Sequence, residues 1–180
     1  MPFVFRSLAV KAGRRRSDVR SGCFDRNTPL LPGRVHQSFM RIRDFQAATD
    51  IPSARTLFAQ LGYPVSEEVL RRRVASTASD AVTTVLVAEG PAGVAGILTM
   101  HMIVPWHEEN DWAVISALVV DDQVRGKGAG ALLLSAAEEI ARARKCSHVE
   151  LSSSEARLRA HAFYERAGFK EVRKRFVKRL

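Results

Sequence analysis

The 180-residue sequence predicts an α/β domain in which helices flank a mixed central sheet. Three observations lead there. Strand-type and helix-type apolar periods alternate from residue 40 onward. The stretch Ala113–Val120 is apolar on both faces, as a central strand covered on each side must be. A glycine-rich turn follows it and runs straight into an amphipathic helical pattern.

Taken in order, Arg41–Phe45 reads as a short strand. Asp50 is placed to cap a helix with Pro52 in its first turn, where the missing N–H costs no bond. Gly62-Tyr63-Pro64 breaks that helix. Ser66 caps a second one, whose Glu67 and Glu68 sit at the positive end of its dipole. Thr83–Ala88 and Val94–Val104 form a hairpin about the turn Glu89–Gly93, and Pro105–Asp111 is a polar loop. After the central strand, Ala129, Leu132, Leu133, Ala136, Ala137 and Ile140 recur at the spacing of one buried helical face. His148–Ser152 is a further strand, and Arg157–Ala167 a helix stopped by Gly168. Phe169–Leu180 is expected to supply a final strand or strand pair.

Composition bounds the function. At 46% hydrophobic residues the chain can bury a core, yet no apolar run approaches the ~20 residues of a membrane span. Cys23 and Cys146 have neither C-x-x-C nor disulfide-framework spacing, so a reducing cytoplasm and no metal site are expected. The net charge of +9 would suit nucleic acid, but +6 of it falls within residues 1–39. That segment lacks a period and holds Gly-Arg-Arg-Arg (13–16) and Pro-Leu-Leu-Pro-Gly (29–33), so we expect a basic, disordered extension. A flexible tail, a targeting segment and upstream sequence read from an early start remain open for it. The domain is expected to span residues 40–180.

The chemistry concentrates in Arg125-Gly-Lys-Gly-Ala-Gly130 between the central strand and the following helix. Glycines there let the backbone approach a ligand, and the free N–H groups of the new helix favour a phosphate. The spacing G-x-G-x-G is not the G-x-G-x-x-G of a dinucleotide-binding turn, and no G-x-x-x-x-G-K-[ST] loop occurs.

These residues resemble the [RQ]-x-x-G-x-[GA] coenzyme A signature of the GCN5-related N-acetyltransferases. A second stretch, Ala160-His-Ala-Phe-Tyr-Glu-Arg-Ala-Gly-Phe169, is similar to that family's A-x-x-F-Y-x-x-x-G-F and follows in the proper order. Arg159-Ala-His-Ala-Phe-Tyr164 and the basic terminus also look like the aminoalkylphosphonate N-acetyltransferase branch. The resemblance implies a sheet with a splayed strand pair that takes acetyl-CoA as cosubstrate. It implies that the backbone of Leu118, Val119 and Val120 pairs with the pantetheine arm, with an oxyanion donor near Val119. Arg125, Gly126, Lys127, Gly128, Ala129 and Gly130 would hold the pyrophosphate, and Tyr164 would protonate the leaving thiolate. Where the family commonly has Asn, this chain has Arg157.

The general base is open. Many relatives use a Glu on the central strand, and Val114–Val120 has none; His101, His107, Glu108, Glu109 and Asp111 are the nearby candidates. His161 reads as a structural or surface residue. The expected partner is a small-molecule amine or aminophosphonate, with a homodimer admitted, no membrane and no nucleic acid. A peptide acetyltransferase, a non-catalytic acetyl-CoA sensor and a basic-tailed module associating with nucleic acid are the competing readings.

Overall fold

The computed structural model describes residues 40–77, 80–172 and 176–180, so the expected disordered extension 1–39 lies outside the described residues. The elements are β1 (Arg41–Asp44), α1 (Ala47–Gln60), α2 (Glu67–Thr77), β2 (Thr83–Gly90), β3 (Gly93–Ile103) and β4 (Trp112–Val120). A 3₁₀ turn (Asp122–Val124), α3 (Ala129–Ala143), β5 (Val149–Leu151) and α4 (Leu158–Arg166) complete them. The five strands stand side by side in chain order. The first four are antiparallel neighbours, and β5 joins β4 in parallel.

Helices pack on both sheet faces, which explains why the central strand carries apolar residues on both of its sides. Leu133, Leu134 and Ala137 of α3 pack on Leu86, Leu98, Met100, Ala113 and Ile115. On the opposite face Ile51, Ala54 and Leu57 of α1 and Leu70 of α2 meet Val87, Ile97 and Val119.

Two expectations fail. Helix α1 begins a turn before Asp50, and Pro52 sits in its second turn rather than its first. Asp50 is instead a buried anchor, 1% exposed. It accepts from Arg43 Nη1 at 2.6 Å and Nη2 at 2.9 Å, and from the Gln46 N–H at 2.8 Å. Its carboxylate thus satisfies an N–H that the helix start leaves free. The ion pair with Arg43 outweighed the local capping preference. Among the described residues the expected final strand is also absent: Phe169–Val172 and Phe176–Leu180 lie in no strand. Val172, Phe176 and Val177 are exposed, and the three-residue β5 offers a very short ladder to pair with. By contrast Ser66 caps α2 as expected, its Oγ accepting from the Val69 N–H at 3.3 Å.

The feature that positions the site is a β-bulge. Thr99 pairs with Ala117 but Met100 pairs with Ile115, which leaves Ser116 as an extra residue on β4.

Candidate active site

The β4–β5 pairing runs only from Ala113↔Val149 to Ile115↔Leu151, while β4 continues to Val120. From Ser116 onward that edge of β4 is therefore open. The next backbone bond toward β3, from the Asp121 N–H to the Ala95 carbonyl at 2.9 Å, fixes which groups face the opening. Alternation along the strand directs Val119 N–H and C=O to β3 and those of Leu118 and Val120 to the open edge. The oxyanion donor expected near Val119 narrows to Leu118 or Val120, because the amide of Val119 itself is spent in the sheet.

The open edge leads to the glycine turn. Gly126 (φ +79°) and Gly128 (φ +89°) adopt left-handed conformations, and a Cβ on either would meet no heavy atom within 4 Å. The turn is thus a cradle that only glycine backbone shapes without strain. The first helical bond of α3 runs from the Leu132 N–H to the Gly128 carbonyl at 3.0 Å. The N–H groups of Ala129, Gly130 and Ala131 precede it and project from the helix end, and no acidic residue occupies that first turn. Arg125 is committed within the turn: its guanidinium pairs with Asp122, and its Nε donates to the Val120 carbonyl at 3.4 Å. Lys127 is exposed. On the far side Gly130 approaches the Phe163 ring, which fixes α3 against α4.

Tyr164 lines the same cleft from α4. Its ring lies between Phe163 (centroids 5.3 Å apart) and Phe169 (6.0 Å). Burial pushes its phenol above the ordinary tyrosine value, against a smaller lowering by the Arg157 charge. A phenol so placed stays protonated and is a proton donor at neutral pH. Arg157 does not reach toward the glycine turn: its Nη2 donates to the Leu61 carbonyl at 2.5 Å, and its guanidinium carbon lies 5.9 Å from the Tyr63 ring centroid. It ties the α1–α2 turn to the start of α4. His161 bonds the Ser154 carbonyl through Nε2 at 2.9 Å, in keeping with a structural role.

Of the five candidate bases, only His101 lines the cleft. His107, Glu108 and Glu109 are exposed on the β3–β4 loop, where His107 lies 3.7 Å from Glu108 and edge-on to Trp112. The hairpin carries that loop beyond the end of the cleft. His101 is joined to Thr83 and Ser116, two residues that nothing in the sequence singled out. Gln60 at the end of α1 is likewise new: its Oε1 accepts from the Asp122 N–H at 3.2 Å, bracing the approach to the glycine turn.

An open strand edge thus runs into a glycine turn whose following helix presents unbonded backbone N–H groups. The chain belongs to the acetyltransferase (GNAT) family, whose model matches residues 50–169. Over 87 residues it is 40% identical to the aminoalkylphosphonate N-acetyltransferase of Salmonella typhimurium, a match covering 48% of this chain and 56% of that protein. The chain thus spans little more than half the length of that curated relative. Among solved structures, a transcriptional regulator from Bacillus halodurans C-125 superposes with a TM-score of 0.70 at 22% identity, covering 79% of this chain and 100% of that one. Glucosamine-6-phosphate N-acetyltransferase from Arabidopsis thaliana also gives 0.70, at 20% identity, covering 78% and 98%. These likenesses share the fold. Among the described residues no helix is long and apolar enough to cross a membrane.

Proposed function

We propose that this chain transfers the acetyl group of acetyl-CoA to the primary amine of a small acceptor, by direct attack with both substrates bound. The observation that carries the reading is the open edge of β4 beside the Gly126–Gly128 cradle. Family membership supports acetyl-CoA as the cosubstrate, which supplies an activated thioester.

The residues present fit it. Leu118 and Val120 offer backbone donors and acceptors to an extended amide-bearing arm, as a neighbouring strand would. The backbone of Arg125–Gly130 and the α3 dipole receive the pyrophosphate, with Lys127 adding charge. One of the two outward amides, of Leu118 or Val120, opposes the negative charge that develops on the carbonyl oxygen. Tyr164 donates its proton to the departing sulfur, a transfer between groups of comparable basicity.

For the acceptor we infer an aminoalkylphosphonate. The Salmonella typhimurium relative bears that name, and Arg73 of α2 lines the same cleft as a cation for the phosphonate. The free thiol of Cys146 suits a reaction in the cytoplasm. Thiol release from acetyl-CoA, measured with aminomethyl- and 2-aminoethylphosphonate, polyamines, amino acids and peptides, tests this. Turnover is expected with the aminophosphonates. Turnover with peptides alone would overturn the small acceptor, and thermal stabilisation by acetyl-CoA without turnover would make the protein a sensor.

A further inference from the structure

A line of four polar side chains runs from the β4 bulge across β3 and β2 to the α2–β2 connection, and nothing in the steps above uses it. Ser116, the extra residue of the β4 bulge, places its Oγ 2.8 Å from His101 Nε2. On the other side of the ring, Nδ1 lies 3.1 Å from Thr83 Oγ1. Thr83 Oγ1 in turn donates to Asp80 Oδ2 at 2.8 Å. The backbone N–H of Val82 donates to the other Asp80 oxygen at 2.8 Å. Thr83, His101 and Ser116 all line the cleft.

Chemistry sets the direction of every proton in this line. Hydrogen bonds from the Val82 N–H and the Thr83 hydroxyl hold the Asp80 carboxyl below its ordinary range, so it is ionised and can only accept. The single proton of Thr83 is therefore committed to Asp80, and its lone pair must accept from His101 Nδ1–H. The neutral imidazole then carries its free electron pair on Nε2, facing the Ser116 hydroxyl. Ser116 has one alternative acceptor, the Thr99 carbonyl, at the longer distance of 3.4 Å. A carboxylate fixing an imidazole tautomer so that the far nitrogen serves as base is the logic of a catalytic triad, with a threonine interposed.

We propose that His101 takes the proton released by the attacking amine, relayed by the Ser116 hydroxyl, with Thr83 and Asp80 as positioning residues. The inference rests on the acetyl-transfer reading of the cleft. In the step, the neutral amine nitrogen forms a bond to the acetyl carbonyl carbon and passes a proton to Ser116 Oγ. Ser116 passes its own proton to His101 Nε2, which becomes imidazolium. The C–S bond breaks, its electron pair leaves on sulfur, and sulfur takes the proton of Tyr164. Exchange with water returns a proton to Tyr164 and removes one from His101.

The titratable and charged groups sharing this face come from every neighbouring element. Asp80 belongs to the α2–β2 connection. Glu150 of β5 is paired with Val114, which is itself paired with His101, so it stands in the same row two strands away. Arg73 of α2 and Tyr164 of α4 line the same cleft. Asp80 is linked to the ring through Thr83, and it favours the imidazolium that the step creates.

Two measurements test it. Long-range ¹H–¹⁵N spectra of the wild-type chain, with the His101 signal assigned by His101→Gln, should show the neutral ring as the Nδ1–H tautomer. Thr83→Val should lose that preference. This readout requires no turnover, so an Nε2–H tautomer overturns the relay whatever the enzyme does. On the amine that turns over, His101→Gln should lower kcat on the order of 10²- to 10⁴-fold, the span of a positioned base. It should abolish the acid limb of the kcat–pH profile and leave the thermal shift with acetyl-CoA intact. Thr83→Val should lower kcat by about tenfold, as expected for a lost positioning bond of about 1 kcal/mol or slightly more. An acid limb that survives in His101→Gln overturns the proposal, as does an acetyl adduct on Ser116, which would make that hydroxyl a nucleophile. The expected tautomer with no turnover on any amine defeats the acetyl-transfer reading and the proton-acceptor role with it.

Discussion

A matched pair of glycine substitutions separates the ligand cradle from mere backbone strain. Gly128 has φ +89° and Gly93, in the β2–β3 turn, has φ +104°. A Cβ at either position would meet no heavy atom within 4 Å. Alanine at each site therefore brings the same penalty, about 1–2 kcal/mol for an L-residue held in a left-handed conformation. For a domain of this size that lowers Tm by about 3–8 °C in both variants. Their response to acetyl-CoA should differ. At a hundredfold excess over Kd the ligand stabilises wild type and Gly93→Ala by about 2.7 kcal/mol, a rise of about 5–11 °C. In Gly128→Ala the methyl group would enter the space that the proposed reading gives to the pyrophosphate. A tenfold loss of affinity halves the stabilisation to about 1.4 kcal/mol, and a hundredfold loss nearly removes it. Differential scanning fluorimetry at fixed ligand concentration reads the difference. Equal shifts in the two variants would refute the assignment of the turn.

Tyr164→Phe should lower kcat on the order of 10²-fold or more with Tm and acetyl-CoA affinity little changed, since the ring keeps its packing against Phe163 and Phe169; steady-state kinetics under conditions where chemistry limits the rate would show it. Asp50→Asn should cost about 3 kcal/mol in urea denaturation, the low end for a broken buried ion pair because Glu89 still accepts from Arg43 at 3.2 Å. Burial opposes ionisation of Asp50, yet the bonds from Arg43 and Gln46 outweigh it and hold its carboxyl below the usual range. Its contribution is thus present above the unfolded-state pKa and lost as pH falls through the folded one, so the gap between wild type and variant should close in acid. A chain starting at Met40 should fold and keep the full thermal shift with acetyl-CoA; loss of either would place residues 1–39 within the fold.

The parts that the sequence disclosed are those governed by local rules. Residues 129–140 carry a helical apolar face, TTVLVA is β-branched, and Ser66 and Gly168 mark helix ends by side-chain or backbone chemistry that needs no distant partner. The errors and omissions involve distant partners. Asp50 looked like a cap, and the half-buried Arg43 seven residues away with Glu89 beyond it made it a core anchor instead. The apolar residues of 169–180 suggested a strand, but a strand also needs a neighbour of sufficient length. His101 was visible as a candidate base, while its partners lie 18 and 15 residues away on two other strands. Only the register brings them together, and register is set by a bulge that has no local signature in VISALVV.

That bulge also accounts for the opening of the sheet. On the β3 side, the extra residue Ser116 falls between Ile115 and Ala117; on the β5 side, pairing ends at Ile115. The two irregularities meet at the same point of β4. An inserted residue bends its strand and increases the local twist, which carries the remainder of β4 away from the direction that β5 follows. Strand β5 ends at Leu151, the partner of Ile115, so the outward groups of Leu118 and Val120 have no strand partner on that edge. The inserted residue is at the same time the one whose hydroxyl meets His101 at 2.8 Å. A single insertion in the ladder thus lies where the β5 pairing stops and turns a hydroxyl toward an imidazole beside it. Regular β3–β4 pairing with Ser116 retained in the ladder would send Leu118 and Val120 to the opposite sheet face relative to Ala113 and Ile115. The core contact of α3 with those residues opposes that shift, so the bulge is held in place by hydrophobic packing on the face away from the cleft.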